Sequence, residues 1–220
     1  QSCDTYYYML ANDMGIDSIA RFMAQVGLGQ RTGIDIEGES EGVLPSPEWK
    51  QRRFKRPEQQ KWFAGETISV GIGQGYNAYT PIQLAQAIAT VANNGVMFRP
   101  HLVKYITDSR GGERTMVEPE PLRILPWKRQ NVETVKKAMI GVNAAGTAAR
   151  AFAGAPYVSA GKTGLFKSTP ALWPGITTTM QVNLSRPSAV CFIVPGSLQM
   201  GTIRKGQVTP HSFEIQQVLG

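Results

Sequence analysis

Apolar residues at Tyr7, Met9, Leu10 and Met14, then at Ile16, Ile19, Phe22, Met23 and Val26, recur at helical spacing. Gly15 interrupts the run. The pattern therefore predicts two consecutive helices over 5–14 and 16–26, with Asp4 capping the first and Gly27 and Gly29 ending the second. Residues 28–65 mix Gly, Pro and charged side chains without a period and read as a long loop. A short strand is expected at 67–70, leading into Gly71-Ile72-Gly73-Gln74-Gly75. Thr80 as N-cap and Pro81 in the first turn then open a helix. Its stripe of Ile82, Leu84, Ala85, Ile88, Ala89 and Ala92 suits burial, and Asn93-Asn94-Gly95 stops it.

Further on, strands are expected at 96–100 and 101–107, a turn at Ser109-Arg110-Gly111-Gly112 and an extended stretch at Glu118-Pro119-Glu120-Pro121. A helix over 131–144 would turn Val132, Val135, Met139, Ile140 and Val142 inward. Gly146 begins a turn into a short helix at 147–152, and 157–163 reads as a strand. This is the pattern of an α/β, more specifically mixed α+β, domain. Residues 165–220 differ. Pro170, Pro174, Pro187, Pro195 and Pro210 recur, 177–179 is a bare threonine run, and neither a helical period nor an alternation that would continue a sheet is present.

Composition narrows the class. In 220 residues, 42% apolar and 18% charged content is that of a globular chain. No apolar run reaches the ~18 residues of a membrane-spanning helix. Net charge is +7, with Lys50, Arg52, Arg53, Lys55 and Arg56 clustered in the expected loop. That cluster lacks the helical periodicity of a groove-reading element, so the charge reads as an ordinary basic surface and no nucleic-acid partner is expected. Cys3 and Cys191 do not make a disulfide framework. His101 and His211 lack metal-ligand spacing. Gly71-x-Gly73-x-Gly75 is not a P-loop pattern and reads as tight backbone geometry rather than a phosphate cradle.

The candidate chemistry lies at Lys162-Thr163-Gly164 and, at the other end of the chain, Ser2-Cys3-Asp4. A Lys-Thr-Gly strand facing a Ser-x-Asn or Ser-x-Asp loop is the arrangement of serine acyl-transfer enzymes of the penicillin-binding and β-lactamase type. Ser2 suits a proton shuttle, and Asp4 can hold a lysine amine by a hydrogen bond. Lys162 attracts a substrate carboxylate and favours a deprotonated neighbour. Thr163 offers a hydroxyl to the same carboxylate, and Gly164 leaves the strand edge bare for an acyl-peptide to lie along it. The third element, a Ser-x-x-Lys with the nucleophile that is separate from the Lys-Thr-Gly strand, is not found: the literal match Ser159-Ala160-Gly161-Lys162 shares its lysine with Lys162-Thr163-Gly164.

Several runs resemble the class B penicillin-binding proteins of the elongation type. They are Gln1-Ser2-Cys3-Asp4-Thr5-Tyr6-Tyr7-Tyr8, Asp13-Met14-Gly15-Ile16-Asp17, Thr32-Gly33-Ile34-Asp35 and Pro47-Glu48-Trp49-Lys50. Gly71-Ile72-Gly73-Gln74-Gly75-Tyr76, Thr80-Pro81-Ile82-Gln83, Asn93-Asn94-Gly95 and Lys162-Thr163-Gly164 add to them. The resemblance implies an antiparallel sheet with helices and a peptidoglycan D,D-transpeptidase that works through a serine acyl-enzyme. It implies peptidoglycan stem peptides as substrates, β-lactam antibiotics as ligands, elongation-complex proteins as partners and the periplasmic face of the inner membrane as location. No cofactor is required. A structural zinc in the intact parent would use Cys3 with Asp and His ligands from upstream. A serine β-lactamase, a D,D-carboxypeptidase or a non-catalytic cell-wall-binding module are the alternatives.

The chain starts at Gln1, immediately before the first motif, so a fragment is expected whose upstream part carried the nucleophile and any targeting segment. The resemblance covers 1–164, a partial transpeptidase domain. Leu165-Phe166-Lys167-Ser168 follows where the family has Thr-Ala-Gln-Val. Back-translating these residues with a one-base shift allows family-like codons. A frameshifted, divergent and poorly packed tail is therefore expected over 165–220.

Overall fold

The structure is a computed structural model that describes residues 3–107, 113–165, 177–183, 190–196 and 213–215. The expected turn at 109–112 and His211 lie outside the described residues. The chain divides into two compact units, Ser2–Ala87 and Ile88–Gly220, the latter grouped with Gln1.

In the first unit, α1 (Asp4–Met14) and α2 (Ile16–Gln25) are separated at Gly15, as their periodicity predicts. Helix α1 begins one residue early. Cys3 takes the cap position, with no side chain capping it. Asp4 sits instead in the first turn, where its charge complements the helix N-terminus. Ala11, Ile16, Ile19 and Val70 form the buried core, with Met23 and Trp62 packed against it.

The stretch 28–65 is not one loop. It contains α3 (Pro47–Arg53) and α4 (Pro57–Gln60), and α5 (Ala64–Gly71) starts within it. Each of the first two opens on a proline, and Ser46 Oγ caps α3 by accepting from Trp49 N at 3.1 Å. These helices are too short to display a period, which is why the pattern misses them. The expected strand at 67–70 is part of α5. Thr67, Ile68 and Val70 are β-branched and favour a strand locally. The Glu66 carboxylate accepts from Phe63 N at 2.8 Å, and Trp62 Nε1 donates to Thr67 Oγ1 at 2.9 Å, so the helix start prevails. Gly71, at the end of α5, passes against α1 so closely that a Cβ there would overlap Ala11 Cβ. The amides of Gly73 and Gln74 donate to Val70 O and Ser69 O, both at 2.9 Å. They close the end of α5 and are not presented to an anion.

Helix α6 (Pro81–Ala92) carries the chain from the first unit into the second. Thr80 and Gln83 cap it reciprocally: Thr80 Oγ1 accepts from Gln83 N at 3.3 Å, and Gln83 Oε1 accepts from Thr80 N at 3.0 Å. Gln83 is wholly buried, and its Nε2 donates to Gln30 O at 2.6 Å and Glu41 O at 2.8 Å. The inner stripe of α6 is thus not purely apolar: Gln83, Gln86 and Thr90 are buried beside Ala85 and Ala89.

In the second unit, β1 (Val96–Phe98), β2 (Tyr105–Thr107), β3 (Arg114–Met116) and β4 (Pro121–Ile124) form two antiparallel pairs, β1 with β4 and β2 with β3. The strand expected over 101–107 is confined to its last three residues. Helix α7 (Arg129–Ala144) buries Val132 and Met139, as its spacing predicts, together with Asn143. Val135 is exposed instead. After α8 (Ala149–Phe152), β5 (Ser159–Leu165) packs against α7 and begins a four-stranded antiparallel sheet. Its other strands are β6 (Thr177–Asn183), β7 (Val190–Gly196) and β8 (Phe213–Ile215), in the order β5-β6-β7-β8. The backbone of the tail therefore supplies strands that no alternation announced. Val190-Cys191-Phe192-Ile193-Val194 is a continuous apolar run, which carries no period-two signal. The packing of the tail's side chains lies outside the described residues.

Candidate active site

Strand β5 holds the Lys-Thr-Gly motif at the edge of the four-stranded sheet. Its register against β6 pairs Lys162 with Met180, Thr163 with Thr179 and Gly164 with Thr178. Ser159, Ala160 and Gly161 are buried and seat the strand, whereas Lys162 is exposed and Thr163 half-buried. The Lys162 ammonium donates to the Thr163 carbonyl at 2.5 Å. Thr163 Oγ1 lies 3.0 Å from Thr147 Oγ1, and Asn143 Nδ2 donates to Ser159 Oγ at 2.9 Å inside the unit. An exposed ammonium, a neighbouring hydroxyl and a glycine on one edge strand can hold a carboxylate and accept an extended peptide alongside.

Of the residues singled out in the sequence, Lys162, Thr163 and Gly164 come together on β5. Asp4 is exposed in the first turn of α1, in the first unit. Ser2 lies outside the described residues. Cys3 is an exposed free thiol. Among the described residues no three His, Cys, Asp or Glu side chains gather as metal ligands. His101 is bonded through Nδ1 to Val103 O at 2.8 Å. No described helix is long and apolar enough to cross a membrane.

Two clusters escaped the sequence reading. Lys50 belongs not to an exposed loop but to α3, and it is 3% exposed. Its Nζ donates to Glu66 Oε1 at 2.5 Å and Lys61 O at 2.7 Å, and the Tyr76 hydroxyl donates to the same Glu66 oxygen at 3.0 Å. Burial opposes ionisation of Glu66. The bonds from Lys50, Phe63 N and Tyr76, with the Lys50 charge, outweigh it and hold the carboxyl below its ordinary 4.5. In the Thr32-Gly33 turn, Glu39 accepts from Thr32 N and Thr32 Oγ1, both at 2.6 Å, and from Gly33 N at 3.0 Å. Burial again pushes its carboxyl up, and these bonds with the Arg31 charge bring it below 4.5. The signal for both was a motif run with an acid some residues downstream, which spacing alone does not pair.

The sequence matches the family described as the penicillin-binding protein transpeptidase domain over residues 1–169. The peptidoglycan D,D-transpeptidase MrdA of Haemophilus influenzae is 43% identical over 176 residues, covering 74% of this chain and 25% of that protein. A structure of Pseudomonas aeruginosa PBP2 in complex with WCK 5153 superposes with a TM-score of 0.68 at 37% identity, covering 82% of this chain and 39% of that one. A structure described as the coordination of polymerization and crosslinking by a peptidoglycan synthase complex has a TM-score of 0.68 at 32% identity, with 85% and 30% coverage. The chain thus spans about a quarter of the length of its curated relative. With mixed helices and antiparallel strands and a Lys-Thr-Gly edge strand, the chain belongs to the penicillin-binding protein transpeptidase family.

Proposed function

We propose that this chain is the part of an elongation-type peptidoglycan D,D-transpeptidase that supplies the carboxylate-binding wall of the cleft. The observation that carries the reading is Lys162-Thr163-Gly164 on an edge strand inside a family match over 1–169. In this reading a Ser-x-x-Lys serine, outside the chain, attacks the penultimate carbonyl of a pentapeptide stem and releases D-alanine. The acyl group then passes to an amine on a neighbouring stem. Lys162 and Thr163 hold the donor's terminal carboxylate, and the edge at Gly164 aligns the peptide. Ser2 relays the proton to the leaving amine, and Asp4 orients the lysine that serves Ser2. β-Lactams, which mimic the donor, acylate the same serine.

The partners are the other members of an elongation complex, at the periplasmic face of the inner membrane. The likeness to a chain from a peptidoglycan synthase complex supports a role within a multi-protein assembly. The tail after Gly164, where Leu165-Phe166-Lys167-Ser168 departs from the family pattern, is read as the product of a shifted frame, and sequencing the coding DNA tests it. For the activity, the full-length protein is incubated with a pentapeptide-bearing glycan and an acceptor amine. Release of D-alanine with cross-link formation, lost in Lys162→Ala, is expected. Hydrolysis of the donor without transfer would favour a carboxypeptidase instead.

A further inference from the structure

We propose that Thr147 is a positioning residue for Thr163, which the functional reading above assigns to the substrate carboxylate, and the proposal rests on that reading. The two hydroxyl oxygens lie 3.0 Å apart although 16 residues separate them. The turn after α7 brings them together. Gly146 passes so close to the helix that a Cβ there would stand 2.8 Å from Val142 Cα and 2.9 Å from Val142 O. Ala148 N then donates to Val142 O at 3.2 Å, and Ala149 N to Gly146 O at 3.1 Å. The chain folds back on the last turn of α7 and presents Thr147 to β5.

A second tie holds the same return. Asn143, four residues before Thr147, donates to Ser159, four residues before Thr163. Ser159 and Thr163 share a face of β5, because side chains alternate along a strand. The buried pair fixes the strand against the helix, and the outer pair fixes the direction of a hydroxyl at the surface, where Thr147 is exposed and Thr163 half-buried.

The chemistry follows from one proton per hydroxyl. An ionised carboxylate only accepts hydrogen bonds, so Thr163 must donate to it. Thr163 Oγ1 is then left as an acceptor, and Thr147 O–H fills that position. The relay runs from Thr147 to Thr163 to the carboxylate, each bond polarising the next. Thr147 touches no substrate and acts only through Thr163.

The test uses the full-length protein and two probes, a penicillin with a free carboxylate and its methyl ester, with acylation rates read by mass spectrometry. Thr147→Val is expected to slow acylation by the free acid by roughly three- to tenfold, the worth of one net hydrogen bond, and to leave the ester rate unchanged. Thr147→Ser restores the free-acid rate, and Thr147→Val adds nothing in a Thr163→Ala background. Thr147→Ala repeats the measurement without a new methyl group. Wild-type rates with both Thr147→Val and Thr147→Ala, or equal losses for acid and ester, would overturn the positioning role while leaving the functional reading intact. A wild-type protein acylated by neither probe would overturn the functional reading and this inference with it.

Discussion

Lys50 Nζ stands 2.5 Å from Glu66 Oε1 although Lys50 is almost fully buried. The ammonium also lies over the rings of Trp62, Phe63 and Tyr76, at 5.8, 5.2 and 5.7 Å from their centroids. A cation in such a box is tolerable only with its carboxylate present, because an unpaired buried charge is costly. Glu66→Leu, which leaves the buried ammonium without its carboxylate, is therefore expected to destabilise the chain by about 3–5 kcal/mol in urea unfolding. The double variant Lys50→Met, Glu66→Leu is expected to recover part of that loss. A single variant as stable as the parent would show that the pair is not closed in solution.

The same carboxylate makes stability depend on acid. Glu66 and Glu39 are both held below their ordinary 4.5 in the folded chain. A depressed folded value means that the unfolded chain binds protons first as pH falls. The stabilisation is complete above 4.5 and is lost as pH drops through the folded values. Urea midpoints measured from neutral pH downward should be flat until that region and then fall. Glu66→Gln should shallow the fall.

Gln83 serves as both donor and acceptor at one buried point. It accepts from Thr80 N and donates to Gln30 O and Glu41 O. Gln83→Glu keeps the shape but removes the N–H donors and sets a carboxylate oxygen against two carbonyls. It is expected to cost more than Gln83→Leu, which itself leaves polar groups unsatisfied at about 1–3 kcal/mol each. Thermal unfolding of the two variants ranks them, and the opposite order would contradict this role for the amide.

Gly71 allows α5 to meet α1 at Ala11. Gly71→Ala is expected to destabilise by about 1–3 kcal/mol through overpacking. Ala11→Gly in the same chain should relieve part of the loss, giving a favourable coupling in a double-mutant cycle. Additive effects would place the two residues apart.

Helices α1, α2, α6 and α7 were legible because apolar residues recur along each for ten residues or more. Helices α3 and α4 were not, because seven- and four-residue helices show no period, although Ser46-Pro47 was a start signal in plain view. At 67–70 the local preference of Thr67, Ile68 and Val70 pointed to a strand. Glu66 and Trp62 overrode it through bonds that depend on the chain around them. The candidate site was legible as a motif, since Lys162-Thr163-Gly164 is contiguous. Thr147 was not, because its tie to Thr163 exists only after α7 turns back at Gly146. Lys50 was hidden for a related reason: among Arg52, Arg53, Lys55 and Arg56 a buried lysine looks like one more surface charge.

The proposed role of β5 is the carboxylate-binding wall of a penicillin-reactive serine site. Its most direct test is covalent labelling of the full-length protein by a penicillin, read as a mass increment on one serine. Labelling of the wild-type protein is expected, slowed strongly in Lys162→Ala and in Thr163→Ala. No adduct on the wild-type protein, or equal labelling of all three, would contradict the account.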